Sequence, residues 1–378
     1  MRIYFLLLIF IFTFFTGCQG NAGNFFKPGQ VWYDNHHVPI NAHGGGVVFY
    51  GGKYYWFGQH NLEGEKGNSA WVGVHAYSSD DLYHWTDEGI VLKVENDSSG
   101  DIAAGCILER PKVIVNEKTG KFIMWFHLEK RNHGYGDALC GLAASDYITG
   151  PYQYLRSERP DKGVWPVNVM PFLKTRKFTG QHIHFTGGDD LPVPVDSLNI
   201  LGRDFENGQM ARDMNLFKED DGKAYHIYTS EENSTIHISM LSDDYLGHSG
   251  VFARVFAGRY MEGATMFKDK GKYYFIASGC TGWNPNAARW AVADSIFGPW
   301  TEMGNPCMGE DSALTFHAQS TCIFPVQGKK DAFIFMADRW TPENAIDGRY
   351  VWLPVIFRHG KIELRWMDEW DLGFFDRN

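Results

Sequence analysis

One apolar pattern recurs five times along the chain. Each copy opens on a glycine or lysine turn and runs into alternating aromatic and aliphatic residues. The copies are GGKYYWFG (51–58), TGKFIMWFH (119–127), DGKAYHIYTS (221–230), GKYYFIASG (271–279) and KKDAFIFMAD (329–338). A turn that feeds a short β-prone run reads as a hairpin entering a strand. A second pattern, a strand followed by a Ser/Asp turn and an aromatic, follows four of them: AYSSDDLYHW (76–85), AASDYITGPY (143–152), LSDDYLGHS (241–249) and VADSIFGPW (292–300). The fifth copy carries WLPVIFRHGKIELRW (352–366) in its place. Repeated strand units with almost no helical periodicity predict an all-β chain, a five-bladed β-propeller of four-stranded units.

The spacing of the repeats is uneven. Their lysines fall at Lys53, Lys121, Lys223 and Lys272, and the long step contains residues 156–207. That segment holds Pro160, Pro166, Pro171, Pro192 and Pro194 but no blade pattern. It is expected to be a long inserted loop between the second and third blades, and loops of that length usually serve a function. The stretch Phe25 to Tyr33 is expected to supply the strand that closes the ring.

The N-terminus changes the picture of location. Arg2 precedes an almost unbroken apolar run, Ile3 to Phe15, which ends at Thr16-Gly17-Cys18. A basic start, a short apolar stretch and a small residue before a cysteine resemble a bacterial lipoprotein signal. The expected organisation is a removed signal peptide at 1–17, a linker at 18–30 and the propeller at 31–378, with Cys18 lipidated. The protein is then exported and held to a membrane only through that anchor, with no further module appended.

The formal net charge of −10 argues against nucleic acid and anionic membrane surfaces as partners, since both attract basic patches. The 13 Trp, 18 Tyr and 28 Phe suit aromatic sheet cores, with a few left to stack on sugar rings. Cys106, Cys140, Cys280, Cys307 and Cys322 form no C-x-x-C pair, which removes zinc-ribbon and thioredoxin-type readings. In an exported chain, Cys280 with Cys307 and Cys106 with Cys140 are the pairings to test.

The glycines Gly44 to Gly46 invite a phosphate-loop reading, but they lead into a strand and no Lys-Ser/Thr pair follows them. They stand instead where the first inner strand begins. The residues at the matching place in the other repeats are Glu109 and Arg110, Arg212 and Asp213, Glu262, and His317 and Gln319, with His43 and Gly45 in the first. Three carboxylates from three blades thus converge on one mouth. Such a cluster suits glycoside hydrolysis, which needs a protonated carboxylic acid and a group that activates water. Calcium binding is the rival use of the same oxygens.

The segments ERPK, ARDMNLFKEDDGKAYHIYTSEEN, YMEGATMF, GKYYFIASGCTGWNPNAARWAVADSIFGPW and DAFIFMADRW resemble glycoside hydrolase family 43, in particular the branch of exo-β-1,3-galactanases. The likeness runs from about Trp32 to Trp370, apart from 156–207. It implies a five-bladed propeller and an inverting, exo-acting glycosidase that releases galactose from β-1,3-galactan or arabinogalactan. Removal of β-galactofuranose or α-L-arabinofuranose is the alternative, and a catalytically silent glycan-binding lipoprotein is the rival from another class. The resemblance implies Glu262 as general acid and Asp213 as the carboxylate that raises its pKa. The family's usual base, an Asp about nine residues before Tyr54, falls on Gly45 and is absent. Gln319 matches the residue proposed to replace it, and Glu109 matches a sugar-binding Glu that could act as base instead. Candidate sugar contacts are Asn233, Thr281 and Trp283, with His43, Gly45 and Arg110. The expectation is that no cofactor is required. A structural calcium ion in the channel is possible, with His127 and His317 candidates to line it. His182 and His184 could make half a metal site.

Overall fold

Two consecutive glycines, Gly51 and Gly52, take positive φ (58° and 89°) and turn β1 (His43–Tyr50) directly into β2 (Lys53–His60). That is the hairpin turn whose twist matches the flanking strands, and it pairs Tyr50 with Lys53. β3 (Gly73–Ser79) and β4 (Thr86–Lys93) complete the first antiparallel sheet. The same meander recurs as β5 (Ile107–Asn116), β6 (Lys121–Glu129), β7 (Leu139–Ser145) and β8 (Gln153–Glu158). It recurs again as β9 (Met214–Lys218), β10 (Ala224–Ser230), β11 (Thr235–Leu241) and β12 (His248–Val255). The fourth is β13 (Met261–Asp269), β14 (Lys272–Gly279), β15 (Arg289–Ala293) and β16 (Thr301–Gly304). This computed structural model describes residues 24–180 and 192–377. The signal segment, Cys18, His182 and His184 lie outside those residues.

The all-β reading holds, but the count of five blades is corrected: the described residues form six sheets, a six-bladed propeller. The difference lies where the fifth repeat departs from the others. β18 (Gln319–Pro325), β19 (Phe333–Arg339) and β20 (Arg349–Pro354) make a three-stranded sheet that ends at Pro354, which has no N–H to extend a ladder. The chain then forms its own sheet. β21 (Ile356–Arg358) folds back on β22 (Lys361–Arg365), which pairs in parallel with β17 (Cys307–Met308). The first strands β1, β5, β9, β13 and β18 pack side by side around the channel.

The second strands are apolar on both faces because both are covered. Side chains alternate across a strand, so Trp56 enters the core shared with Trp352 while its neighbour Phe57 enters the core shared with Phe126. Trp125 points the other way from Phe126, into a third core with Tyr228. Each large side chain so buried contributes roughly 1.5–3 kcal/mol of transfer free energy. This two-sided burial is why every repeat reads as a near-continuous apolar run.

Three further expectations change. β8 runs to Glu158, so the inserted segment begins later than 156. Its described part packs Leu173 and Leu201 on Phe252 of β12, and buried Asp161 accepts from the Tyr228 hydroxyl at 2.8 Å. Phe25 to Tyr33 supplies no strand to a sheet. Phe26 makes a single antiparallel bridge with Trp370, with N–H···O distances of 2.8 and 3.1 Å, and stacks on that ring. All five described cysteines are free thiols. Cys106 and Cys140 sit in different cores, and Cys307 lies in a core away from Cys280 at the site, so neither pairing forms.

Candidate active site

Four of the inner strands break register at the same end. The ladder shifts between His43 and Gly46, Glu109 and Lys112, Glu262 and Thr265, and Ser320 and Cys322. A bulge adds a residue and re-aims the side chains beside it. In three of these bulges one residue takes left-handed φ: Gly44 (59°), Arg110 (56°) and Gly263 (60°). The bulges tilt the ends of the strands toward a cavity of about 400 Å³ at the channel mouth. Glu109, Arg110, Asp213, Asn233, Glu262 and Gln319 all line it, as does Trp283.

Asp213 and Glu262 divide one negative charge unequally. Burial works to raise the Asp213 pKa. The Arg110 guanidinium, 2.9 Å from Oδ2, the Gly263 amide donating at 2.8 Å, and His127 outweigh it and hold the carboxyl below its usual range. Among the described residues, no such cation contacts Glu262. Burial and then the Asp213 charge push its pKa up to about 7. Two neighbouring carboxyl groups whose environments drive them apart are the mark of an acid and its ionised partner. Asn233 donates from Nδ2 to Glu262 Oε1 at 3.0 Å. Asn233 ends a run of left-handed residues, Glu231 to Asn233, with φ of 51°, 56° and 64°. The run is pinned by Glu231, which is buried against Arg254 and His237. Arg212 holds Asn233 Oδ1 at 2.9 Å from below.

Gln319 is held on every side. Its Oε1 accepts from Arg110 and from Trp340 Nε1 at 3.2 Å, and its Nε2 donates to Ser278 Oγ at 2.9 Å. Arg110 and Trp340 can only donate, so this orientation of the amide is set by its neighbours. Glu109 accepts from the Tyr135 hydroxyl at 2.8 Å and faces His127 Nδ1 at 3.1 Å. Burial lowers the His127 pKa, but Glu109 on one side and Glu129 on the other outweigh it and raise it to about 9.

Several expected contacts lie elsewhere. His43 is fully buried behind Trp340 with neither ring nitrogen bonded, and burial followed by His60 lowers its pKa to about 4. A Cβ on Gly45 would point away from the cavity, 2.2 Å from the Phe57 carbonyl oxygen. A Cβ on Gly44 would instead meet Gln59 Oε1 at 3.3 Å and Arg110 at 3.5 Å, two residues that line the cavity. The Thr281 hydroxyl is spent within its own loop, donating to the Asn284 carbonyl and accepting from Asn286 at 2.6 Å. His317 is exposed and paired with Asp311 at 3.1 Å, away from the channel. Trp283 is 47% exposed and meets Trp340 edge to face at 6.0 Å. Glu109, His127 and Asp213 bring ligand atoms within 4.8 Å of one another. A protonated imidazole and the Arg110 charge beside them do not fit calcium, which takes 6–8 oxygen ligands.

Sequence reading missed Gln59, Asn61, Tyr135, Trp340 and Asp338. Trp340 directly follows the fifth repeated strand, and that adjacency was the available signal. Asp338 lies beneath the cavity, accepts from the Gly44 amide at 2.7 Å, and is pushed up to about 7 by burial.

Two family models match the chain: glycosyl hydrolases family 43 over residues 196–349, and the N-terminal domain of glycosyl hydrolases family 32 over residues 42–134. A solved family 43 β-1,3-galactosidase with galactodeoxynojirimycin is 45% identical, with a TM-score of 0.85 over 92% of this chain and 100% of that one. An exo-β-1,3-galactanase from Clostridium thermocellum is 32% identical, with a TM-score of 0.74 over 92% of this chain and 66% of that one. One from Phanerochaete chrysosporium, with β-1,3-galactotriose, is 28% identical, with a TM-score of 0.74 over 93% of this chain and 68% of that one. A β-D-galactofuranosidase from Aspergillus niger is 25% identical over 157 residues, 40% of this chain. The match spans 45% of that curated relative's length.

Proposed function

Because the chain belongs to glycosyl hydrolases family 43, we propose that it is an exo-acting, inverting glycosidase that releases galactose from β-1,3-galactan or arabinogalactan-type polysaccharide. The observation that carries this reading is Glu262, with a pKa of about 7 beside an ionised Asp213 in a sugar-sized cavity. Glu262 donates its proton to the glycosidic oxygen as the bond breaks. Asp213 stays charged and keeps Glu262 protonated near neutral pH. Trp283 stacks on the apolar face of a galactose ring. The relatives solved with galactodeoxynojirimycin and β-1,3-galactotriose support galactose over other sugars.

Gln319 positions the attacking water. An imidic form with a hydroxyl would lose the bonds from Arg110 and Trp340. The neutral amide therefore orients the water without taking its proton, which passes to solvent as the glycosidic bond breaks. Glu109 is the weaker candidate, because its two oxygens are already engaged by the Tyr135 hydroxyl at 2.8 Å and by His127 Nδ1 at 3.1 Å. Gln319→Ala is expected to lose most of its turnover, with Glu109→Gln raising KM more than it lowers kcat. Wild-type kcat in Gln319→Ala, with loss of activity in Glu109→Gln, would transfer the role to Glu109. Residues 1–17 and Cys18 support export and attachment to a membrane by lipid.

The test is product analysis on β-1,3-galactooligosaccharides and on aryl β-D-galactofuranosides. Free galactose, first seen as the inverted anomer by NMR, is the expected product. The Aspergillus niger relative motivates the furanoside arm. Binding of galactan without any released sugar would leave a glycan-binding protein and end the hydrolase reading.

A further inference from the structure

Between the second and third sheets, away from the sugar cavity, three nitrogen and sulfur donors converge. Cys140 comes from β7, His226 from β10 and His248 from the start of β12. One ligand atom from each lies within 4.8 Å of the other two. Cys140 is 1% exposed, His226 0%, and the His248 side chain 5%. His226 Nδ1 and His248 Nε2 stand 3.1 Å apart. Two nitrogens bound to one tetrahedral zinc at about 2.0–2.1 Å sit roughly 3.3–3.4 Å apart, so the pair is close to a ligand edge.

The plainer account is a neutral imidazole pair sharing one proton. Among the described residues it leaves a buried carboxylate oxygen, Asp161 Oδ1, without a partner. The other Asp161 oxygen accepts from the Tyr228 hydroxyl at 2.8 Å, and the Tyr228 ring lies 4.7 Å from that of His226. An unpartnered carboxylate oxygen in a core is costly, and Asp161 interacts electrostatically with both Cys140 and His248.

We propose that Cys140, His226 and His248 hold a divalent transition-metal ion of the zinc type. Thiolate and imidazole select such ions over calcium or magnesium. Binding exchanges the Cys140 S–H···O bond to the Glu158 carbonyl, 3.2 Å long, for a sulfur–metal bond and releases one proton to solvent. Glu158 Oε1, 3.9 Å from His248 Nδ1, is placed to orient that ring from outside the ligand set. The ion joins the second sheet to the third.

The test uses the full chain without an affinity tag, stripped with a chelator and titrated with cobalt(II). One cobalt per chain is expected, with thiolate-to-cobalt charge-transfer absorption, tetrahedral visible bands and a raised melting temperature. Cys140→Ser should lose the charge-transfer band and Cys106→Ser should keep it. No such band in the wild-type protein at saturating cobalt, or a band that survives Cys140→Ser, overturns the site. Should Cys140→Ser fail to fold, His226→Gln takes its place, and a cobalt spectrum identical to wild type overturns it equally.

Discussion

Replacing Glu262 with Gln is expected to lower turnover of β-1,3-galactooligosaccharides by about 10²–10⁴-fold, the usual contribution of a positioned general acid. The amide keeps an oxygen to accept from Asn233 Nδ2, so the thermal unfolding temperature should stay close to wild type. The loss should be much smaller on aryl galactosides with good leaving groups, because those leave without protonation. Unchanged turnover of the natural linkage would remove Glu262 from the mechanism. The pH dependence has a definite sign. Only protonated Glu262 can donate, and its pKa is raised to about 7 by burial and by Asp213. Activity on unactivated substrate should therefore fall as pH rises through about 7, and this basic limb should vanish in Glu262→Gln.

Asp213→Asn tests the other half of the pair. The substitution removes the negative charge that helps keep Glu262 protonated, and it frees the Arg110 charge to favour the ionised acid. Both changes lower the Glu262 pKa, so the basic limb should move to lower pH while turnover at neutral pH drops by at least an order of magnitude. Deleting one partner of a buried ion pair costs about 3–5 kcal/mol. Asn retains an oxygen for the Gly263 amide and should cost less, seen as a modest fall in melting temperature. A variant that loses stability but keeps the wild-type position of the limb would make Asp213 a structural residue only.

The strands were legible because their burial is two-sided and periodic. Trp56 and Phe57, or Trp125 and Phe126, are adjacent in the chain and apolar because opposite faces meet different neighbouring sheets. The carboxylates were legible because they recur at one place in the repeat, just ahead of each apolar run. The number of sheets was not. It depends on whether the chain after Pro354 pairs with β20 or with β17, and that choice joins residues 57 apart, Cys307 with Leu364. Local propensity does not register such pairing.

Gly44 and Gly45 show the same boundary at atomic scale. Counting along the chain places the missing base at Gly45, whereas the bulge turns Gly44 toward Gln59 and Arg110 and packs Gly45 on the Phe57 carbonyl. Side-chain direction in a strand has a period of two, so one bulged residue reverses what faces the cavity. By itself the sequence determined an all-β repeat carrying Glu109, Asp213 and Glu262 at the mouths of three sheets. Only the tertiary structure decided which carboxyl keeps a proton. That depends on Arg110 lying 2.9 Å from Asp213, while Glu262 is left half-buried beside a negative charge.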